Sequence, residues 1–303
     1  MLPKVILGRT GLEVTRLSYG AMELRGVAGE EASPRGTVGR LPSEEHAGVV
    51  LNAVLDGGIN FVDTAPRYGR SEEFIGRFIS HRRDEFFLAT KMGNPQQKQE
   101  DRSDWERANL LRSIDRSLEL LKTDRVDILQ LHNPTPEDQA RYDCIGTLKE
   151  IQAAGKTRFI GISTTLPEIE EFLALGVFDT FQIPYSALSA EHEEMISKVA
   201  QAGAGTIIRG GVGEGVPAGG QSTRQRYELL KGRWDQLNLE EIAGDMSTSE
   251  LTLRYTFSHP DVHSVIVGTQ NPEHLRANLL TAELGGLEDA LAQKVKEQLR
   301  SLA

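Results

Sequence analysis

Eight short apolar runs alternate with helical patterns along most of the chain, and this alternation restricts the possible folds more than any other feature. The first run covers residues 17–20 and the eighth covers residues 264–267. Nearly every position in these runs is apolar, which is typical of parallel strands buried on both faces. Eight strand–helix units favour a closed (β/α)8 barrel, or TIM barrel, over an open doubly wound sheet. A Rossmann fold would also need Gly-x-Gly-x-x-Gly after its first strand, where this chain has Ala21-Met22-Glu23.

Two segments are predicted outside the eight units. Residues 4–7 and 12–14 flank Gly8-Arg9-Thr10-Gly11, a pattern that predicts a small β-hairpin. Residues 287–302 predict an additional C-terminal helix. We therefore expect residues 1–303 to form one α/β barrel domain with an N-terminal β-hairpin and an extra C-terminal helix.

The remaining boundaries of helices and strands are predicted from helix-capping residues, from glycines that end helices and from the spacing of apolar residues. Ser43 and Asp104 are the predicted N-caps of the helices that end near residues 56 and 121. The other predicted strands cover residues 60–63, 86–90, 126–131, 159–162, 180–183 and 206–208. The other predicted helices cover residues 71–80, 143–154, 167–175, 191–201, 227–231, 249–259 and 272–280. Residues 25–42 carry no periodic pattern and are predicted to form a loop.

The composition limits the kinds of partner. The net charge of −10 and the absence of a basic patch argue against binding to nucleic acid. No run approaches the roughly 20 apolar residues that a membrane span needs. Cys144 is the single cysteine, so an intramolecular disulfide is excluded and a reducing cytosol is the expected setting. We expect a cytoplasmic protein that binds neither nucleic acid nor membrane, and the oligomeric state stays open.

Polar residues stand at the ends of the predicted strands, where the active site of such a barrel lies. Three successive strands end in Asp63, Lys91 and His132, and Tyr68 follows the first of them on a turn. Each of these residues alone is ordinary, since a single Asp is usually a cap, a single Lys solvated and a single His structural. Their occurrence as a set favours a catalytic site.

These four side chains suit the reduction of a carbonyl group. A tyrosine donates a proton at neutral pH only when a nearby cation lowers its pKa from about 10. Lys91 can supply that cation, Asp63 can orient Lys91, and Tyr68 can donate the proton. His132 can hydrogen-bond the substrate oxygen and polarise it. No side chain supplies a hydride, so a cofactor must do so.

Several segments occur in an order that is known from one family. They are Phe61-Val62-Asp63-Thr64-Ala65-x-x-Tyr68-Gly69-x-Ser71-Glu72, Ala89-Thr90-Lys91, Leu129-Gln130-Leu131-His132-Asn133-Pro134, Gly161-Ile162-Ser163 and Phe181-Gln182-x-x-Tyr185-Ser186. Together they resemble the aldo-keto reductase superfamily over nearly the whole chain. The resemblance implies a TIM barrel that binds NADP(H), or sometimes NAD(H), without a Rossmann domain. It also implies an oxidoreductase that acts on an aldehyde, a ketone or a sugar carbonyl or alcohol.

The resemblance also implies residue roles. Asp63, Tyr68, Lys91 and His132 match the catalytic tetrad, with Tyr68 as the general acid and base. Ser163 and Gln182 match residues that bind the nicotinamide carboxamide, Tyr185 matches an aromatic that stacks on the ring, and Thr164 replaces the usual Asn. The full predicted set of cofactor contacts is Met22, Ser163, Thr164, Gln182, Tyr185, Arg209, Gly268, Thr269, Gln270, His274 and Asn278.

The choice between NADP and NAD depends on residues 267–278, which resemble the segment that binds the adenosine 2′-phosphate. Many family members have Lys or Arg there, whereas this chain has Gly268, Thr269, Gln270 and His274. A 2′-phosphate binds best to a bidentate, permanently charged Arg. The resemblance implies NADP as the cofactor, and the absence of an aligned Lys or Arg keeps NAD as the alternative. Upstream, Arg209 could contact a phosphate or pair with a carboxylate, and the glycine-rich residues 210–220 suit either a pyrophosphate or a flexible loop.

Two other functions are compatible with the same residues. The chain could be a non-catalytic redox sensor that binds nicotinamide in the same fold, or a barrel lyase that forms a Schiff base through Lys91. A metal site is not expected, because Pro260 interrupts the helical spacing of His259 and His263.

Overall fold

The computed structural model of the protein describes residues 1–25, 43–93, 104–218 and 225–301. The strands in these ranges are β1 (Lys4–Ile6), β2 (Glu13–Thr15), β3 (Leu17–Gly20), β4 (Phe61–Asp63), β5 (Phe87–Met92), β6 (Val126–His132), β7 (Thr157–Ser163), β8 (Thr180–Pro184), β9 (Gly205–Arg209) and β10 (Ser264–Val267). The helices are α1 (Glu44–Asp56), α2 (Ser71–Phe78), α3 (Arg107–Leu121), α4 (Pro136–Tyr142), α5 (Cys144–Ala153), α6 (Glu168–Ala174), α7 (Glu193–Gln201), α8 (Gln225–Leu237), α9 (Leu239–Ala243), α10 (Thr248–Phe257), α11 (Pro272–Leu284) and α12 (Asp289–Arg300).

Eight strands close into a parallel barrel in the order β10-β3-β4-β5-β6-β7-β8-β9. Helices follow the strands along the chain, so the predicted (β/α)8 barrel is confirmed. The additional helix α12 follows the last strand–helix unit. In a parallel barrel all carboxyl ends of the strands lie at one end, so the polar residues that end the strands share one mouth.

The N-terminal hairpin of β1 and β2 closes the opposite end of the barrel. Leu7 and Val14 of this segment belong to the same buried cluster as Phe61 and Ile128 of the barrel strands. Gly205 makes room for this contact, because a Cβ on Gly205 would lie 2.7 Å from Cγ of Leu7. The hairpin therefore fills the end of the barrel that lies away from the strand-end residues.

The interior of the barrel changes from apolar to polar along the strands. Phe61 and Ile207 belong to the buried cluster that meets the hairpin, while Val62 and Ile208 belong to the cluster of the surrounding layer. Successive side chains of a strand point to opposite faces, so residues two apart share a face. Asp63 and Arg209, two positions beyond Phe61 and Ile207, therefore project into the interior at the mouth.

A buried carboxylate joins three neighbouring strands near their N-terminal ends. Asp127 of β6 accepts hydrogen bonds from Arg83 at 2.7 Å, from Arg158 of β7 at 2.8 Å and from the amide of Leu88 on β5 at 2.9 Å. Its side chain is only 4% exposed. Asp127 lies at the opposite end of β6 from the polar mouth, and its hydrogen bonds help to hold β5, β6 and β7 together.

Three of the differences from the sequence predictions concern helices α3, α4 and α8. The prediction of Asp104 as a helix cap was wrong, because Glu106 occupies the N-cap and α3 begins at Arg107. Helix α4 was not predicted, although Thr135 and Asp138 form a capping box at its start, with Pro136 as its first residue. Helix α8 extends well beyond the predicted 227–231. Most of the predicted loop 25–42 lies outside the described residues.

Candidate active site

The barrel brings Asp63, Lys91 and His132 together, because they belong to the adjacent strands β4, β5 and β6. Tyr68 lies on the turn between β4 and α2. That turn is held by hydrogen bonds from the Tyr68 amide to the Ala65 carbonyl and from the Ser71 amide to the Tyr68 carbonyl, both of 3.0 Å. The four residues of the predicted tetrad therefore occupy one mouth of the barrel.

Lys91 and Asp63 form a buried ion pair. The ammonium of Lys91 lies 2.5 Å from Oδ2 of Asp63 and also donates to the Thr64 carbonyl at 2.9 Å. Lys91 is 1% exposed and Asp63 is 3% exposed. A buried charge without a partner would be costly, so each group needs the other in this position.

Tyr68 packs against the two basic members of the tetrad, Lys91 and His132. Its ring centroid lies 5.1 Å from Nζ of Lys91. The ring of His132 meets it edge-on, with centroids 6.3 Å apart and planes at 87°. Tyr68 and His132 keep 9% and 7% of their surface exposed, so both reach the mouth while Lys91 lies beneath them.

Two amide side chains fix the second oxygen of Asp63. Nε2 of Gln130 and Nε2 of Gln182 donate to Oδ1 of Asp63 at 3.0 and 2.9 Å. Ser163 in turn donates to Oε1 of Gln182 at 3.0 Å. Gln130 was not among the predicted site residues. Its signal was a polar residue between Leu129 and Leu131, two positions before His132 and therefore on the same face of the strand.

The residues predicted to bind the nicotinamide end of a cofactor lie at the same mouth. Ser163 ends β7, and the amide of Thr164 donates to the Gln182 carbonyl at 3.3 Å. Met22 is half-buried in the turn that follows β3. These placements group the predicted contacts around the tetrad, and their roles stay predictions.

Tyr185 is packed more deeply than its predicted role suggests. It is 1% exposed. Its ring stacks on Tyr255 of α10 at a centroid distance of 5.8 Å, and His259 meets it edge-on at 5.4 Å. Burial raises the pKa of Tyr185, so its phenol stays protonated. One face of the ring is therefore covered by protein, and stacking of Tyr185 on a nicotinamide stays a prediction.

Arg209 ends β9 and lies between Pro184 of β8 and Ile266 of β10 in the sheet register. Its Nε is buried, and no described residue accepts a hydrogen bond from it. Burial lowers the pKa of Arg209, and the neighbouring Arg226 lowers it further. The glycine-rich segment that follows continues as a short 3-10 helix, Gly213–Ala218, and residues 219–224 lie outside the described ranges.

The segment predicted to meet the adenosine end lies between β10 and α11. The hydroxyl of Tyr19 donates to the Thr269 carbonyl at 2.7 Å, and the ring of His46 lies 2.5 Å from the Gln270 carbonyl. A Cβ on Gly268 would lie 2.7 Å from the carbonyl oxygen of Gly20, so the backbones approach closely there. These contacts fix the loop that leads into α11.

The start of α11 leaves its side chains available to a ligand. Asn271 caps the helix by accepting from the amide of Glu273. His274 and Arg276 are exposed on the first two turns, and Asn278 is half-buried. Among the described residues, the segment that resembles a 2′-phosphate site therefore contains one exposed guanidinium, that of Arg276.

Cys144 is not suited to nucleophilic chemistry. It is the first residue of α5, and it is buried. Burial raises the pKa of its thiol to about 12, and only the thiolate is a strong nucleophile. No His, Cys, Asp or Glu side chains form a metal-binding group within the described residues. In those ranges no helix is both long and apolar enough to cross a bilayer.

Comparison with known proteins identifies relatives over almost the whole chain. Residues 16–299 match the profile described as the Aldo/keto reductase family. The uncharacterized oxidoreductase YqkF of Bacillus subtilis is 30% identical, over 91% of this chain and 90% of that protein. The D-threo-aldose 1-dehydrogenase of a Pseudomonas species is 27% identical, over 92% of this chain and 91% of its own. The holo form of aldo-keto reductase AKR11C1 from Bacillus halodurans superimposes with a TM-score of 0.79 at 27% identity, covering 98% and 96% of the two chains.

Proposed function

Because the chain belongs to the aldo/keto reductase family, we propose that it is an NADP-dependent carbonyl reductase or alcohol dehydrogenase whose chemistry runs at Tyr68. The family makes it an oxidoreductase that transfers a hydride between a nicotinamide cofactor and a carbonyl or alcohol. The observation that supports these residues best is the buried pair of Lys91 and Asp63 beneath the phenol of Tyr68. NAD is the alternative cofactor.

Each member of the tetrad has a distinct task in this proposal. Tyr68 donates the proton to the substrate oxygen in reduction and takes it back in oxidation. Lys91, whose ammonium lies beneath the ring, stabilises the phenolate that forms. Asp63 holds Lys91 in place through its Oδ2. His132, edge-on to Tyr68, donates a hydrogen bond that polarises the same oxygen.

The residues at the mouth fit a dinucleotide. Nε of Arg209 is a buried donor without a described acceptor. Gly268, which follows the neighbouring strand β10, allows a close approach of the backbone. The N-terminus of α11 comes shortly after it, and the amide groups of helix N-termini favour phosphate groups. When bound, the nicotinamide supplies the hydride that no side chain can supply. Ser163, Thr164 and Gln182 would orient its carboxamide.

The preference for NADP rests on the other end of the cofactor. We assign the adenosine end to Gly268, Thr269, Gln270, His274 and Asn278. None of these is a permanent cation. The exposed Arg276 supplies one on the same helix turn as His274, and it would bind a 2′-phosphate through its guanidinium.

The proposed substrates are small carbonyl compounds and sugars. The likeness to a D-threo-aldose 1-dehydrogenase makes an aldose one class to test. We infer a cytoplasmic setting, since a reducing compartment suits the free thiol of Cys144. The barrel is proposed to act as a single domain that needs no nucleic acid or membrane.

The direct test is turnover with defined cofactors. The protein should oxidise NADPH, and NADH more slowly, in the presence of 4-nitrobenzaldehyde, and it should reduce NADP+ with an aldose. Cofactor binding without any turnover would favour the redox sensor. Trapping of a carbonyl substrate on Lys91 by borohydride would favour the lyase. Failure of both cofactors to bind would reject the proposal.

A further inference from the structure

Arg209 places a cation in the interior of the barrel mouth. Ile207, two residues earlier, packs in the buried cluster beneath the hairpin, so the side chain of Arg209 projects to the same inner face. Arg209 ends β9 at the mouth that also holds Tyr68 and Asp63, and both of these groups raise its pKa against the lowering by burial. The cation therefore belongs to the surroundings of the reacting phenol.

This charge is only partly neutralised by its neighbours. The two carboxylates that influence Arg209 are Asp63 and Glu214. Asp63 is bound by Lys91 at 2.5 Å, and Glu214 accepts from Arg226 at 2.7 Å. Each carboxylate is thus already paired with another cation. Among the described residues this part of the mouth carries an excess positive charge, on a half-buried side chain whose Nε is buried.

A charge near Tyr68 also acts on any ring that delivers a hydride there. The carbonyl must accept a hydrogen bond from the phenol and a hydride at its carbon, so the phenol and the hydride donor lie within a few ångströms of one substrate group. Loss of the hydride leaves the nicotinamide ring with one more positive charge. A fixed guanidinium nearby therefore repels the oxidised ring more than the reduced one.

We propose that Arg209 sets the redox balance of the bound cofactor by favouring its reduced form over its oxidised form. This inference rests on the proposed function, because it requires a nicotinamide beside Tyr68. It assigns to Arg209 a specific electrostatic task rather than a contact with phosphate. The consequence in catalysis is faster release of the oxidised cofactor after reduction.

The test is the ratio of two dissociation constants measured by isothermal titration calorimetry. NADP+ and NADPH are titrated separately into the wild type and into Arg209→Gln and Arg209→Met, which remove the charge. One unit charge within several ångströms of the ring, in a partly screened medium, corresponds to about a tenfold difference between the affinities for the oxidised and the reduced cofactor. We expect the ratio of the NADP+ constant to the NADPH constant to fall about tenfold in both variants.

Two controls make the result specific. Arg209→Lys keeps the charge and should keep the ratio within about threefold. Lys231→Met removes an exposed cation of α8, whose side chain is 51% exposed, and should leave the ratio unchanged because solvent screens it. Circular dichroism of each variant verifies that the barrel is folded.

The outcomes separate this inference from the proposed function. An unchanged ratio in Arg209→Gln and Arg209→Met, with both cofactor forms still bound, would overturn the inference alone. Equal weakening of both forms would also overturn it, because it would identify Arg209 as a phosphate clamp. Failure of the wild type to bind either form would reject the proposed function itself.

Discussion

Lys91 and Gln130 are partner residues on the neighbouring strands β5 and β6, and both side chains bind the carboxylate of Asp63. Lys91 takes one oxygen, and Gln130 shares the other with Gln182. The carboxylate is therefore held from both sides of the barrel interior. The position of the Lys91 ammonium depends on the carboxylate of Asp63. We therefore expect the amides of Gln130 and Gln182 to act on the phenol of Tyr68 indirectly, through Asp63 and Lys91.

The first prediction separates the two amides. Gln130→Leu should lower kcat about tenfold, because Asp63 loses a donor and Lys91 shifts. Its affinity for cofactor should be unchanged. Gln182→Leu removes the same kind of hydrogen bond but also a proposed carboxamide contact, so it should weaken cofactor binding as well. Steady-state kinetics and calorimetry on both variants check this split, which equal effects of the two substitutions would contradict.

Tyr68→Phe tests the proton donor. The variant should lose reduction by a factor of about 10² to 10⁴, which is the usual contribution of a general acid. Its affinity for NADPH should stay near the wild-type value, since only the hydroxyl is removed. Tyr142→Phe, at a half-buried position at the end of α4, is the matched control and should turn over normally. Wild-type turnover in Tyr68→Phe would reject the assignment.

The buried ion pair should behave as a unit. Lys91→Met leaves the carboxylate of Asp63 buried without its cation, and we expect it to lower the free energy of unfolding by about 3 kcal/mol. The double variant Lys91→Met with Asp63→Asn removes the stranded charge, so it should regain more than half of that loss. Urea unfolding measures both.

Activity should not follow stability in that series. The double variant lacks the ammonium beneath Tyr68, so its kcat should stay as low as that of Lys91→Met. Asp63→Asn is therefore also measured alone, and simple addition of its effect on stability to that of Lys91→Met would mean that the pair is not coupled.

His192 should make the stability depend on pH. Burial, with Arg209 nearby, lowers the pKa of His192 to about 4, and its Nε2 accepts a hydrogen bond from the amide of Leu166. In the unfolded chain the same imidazole titrates near 6.5. Between these values the unfolded state binds the extra proton, so stability is full above pH 6.5 and falls as the pH drops toward 4.

The size of this effect is about 2 kcal/mol after allowance for screening by solvent. His192→Gln keeps an acceptor for the Leu166 amide but cannot be protonated, so its unfolding free energy should change less between pH 7 and pH 4.5. The unfolding free energies of both proteins are measured by urea titration at several pH values across this range. If they change equally with pH, His192 contributes nothing to the pH dependence.

The placement of the tetrad could be predicted because it depends only on strand ends. Asp63, Lys91 and His132 close three successive apolar runs, and parallel strands necessarily bring such ends to one mouth. Gln130 was missed because it lies inside a strand and not at its end, although its spacing of two from His132 places both residues on one face. Its role became visible only when β5 and β6 were in register.

Packing of one side chain on another between distant segments could not be predicted, apart from the grouping of the strand-end residues. Tyr185 and Tyr255 are separated by a long stretch of chain, yet their rings stack. Nothing in either segment indicates that a rim aromatic would be covered by a helix. Similarly, the sequence left Arg209 between a phosphate contact and a carboxylate pair, because the absence of a free acceptor around Nε is a property of the packed barrel.

The hairpin fills the N-terminal end of the barrel, so under the proposed function both reactants would enter through the polar mouth. A cofactor lying against the strand ends and a carbonyl compound lying above it would then enter and leave along one path. Whichever lies deeper must arrive first and depart last. Closure of one end of the barrel by the hairpin would thus impose an order of binding at the other end, because both ligands use one route.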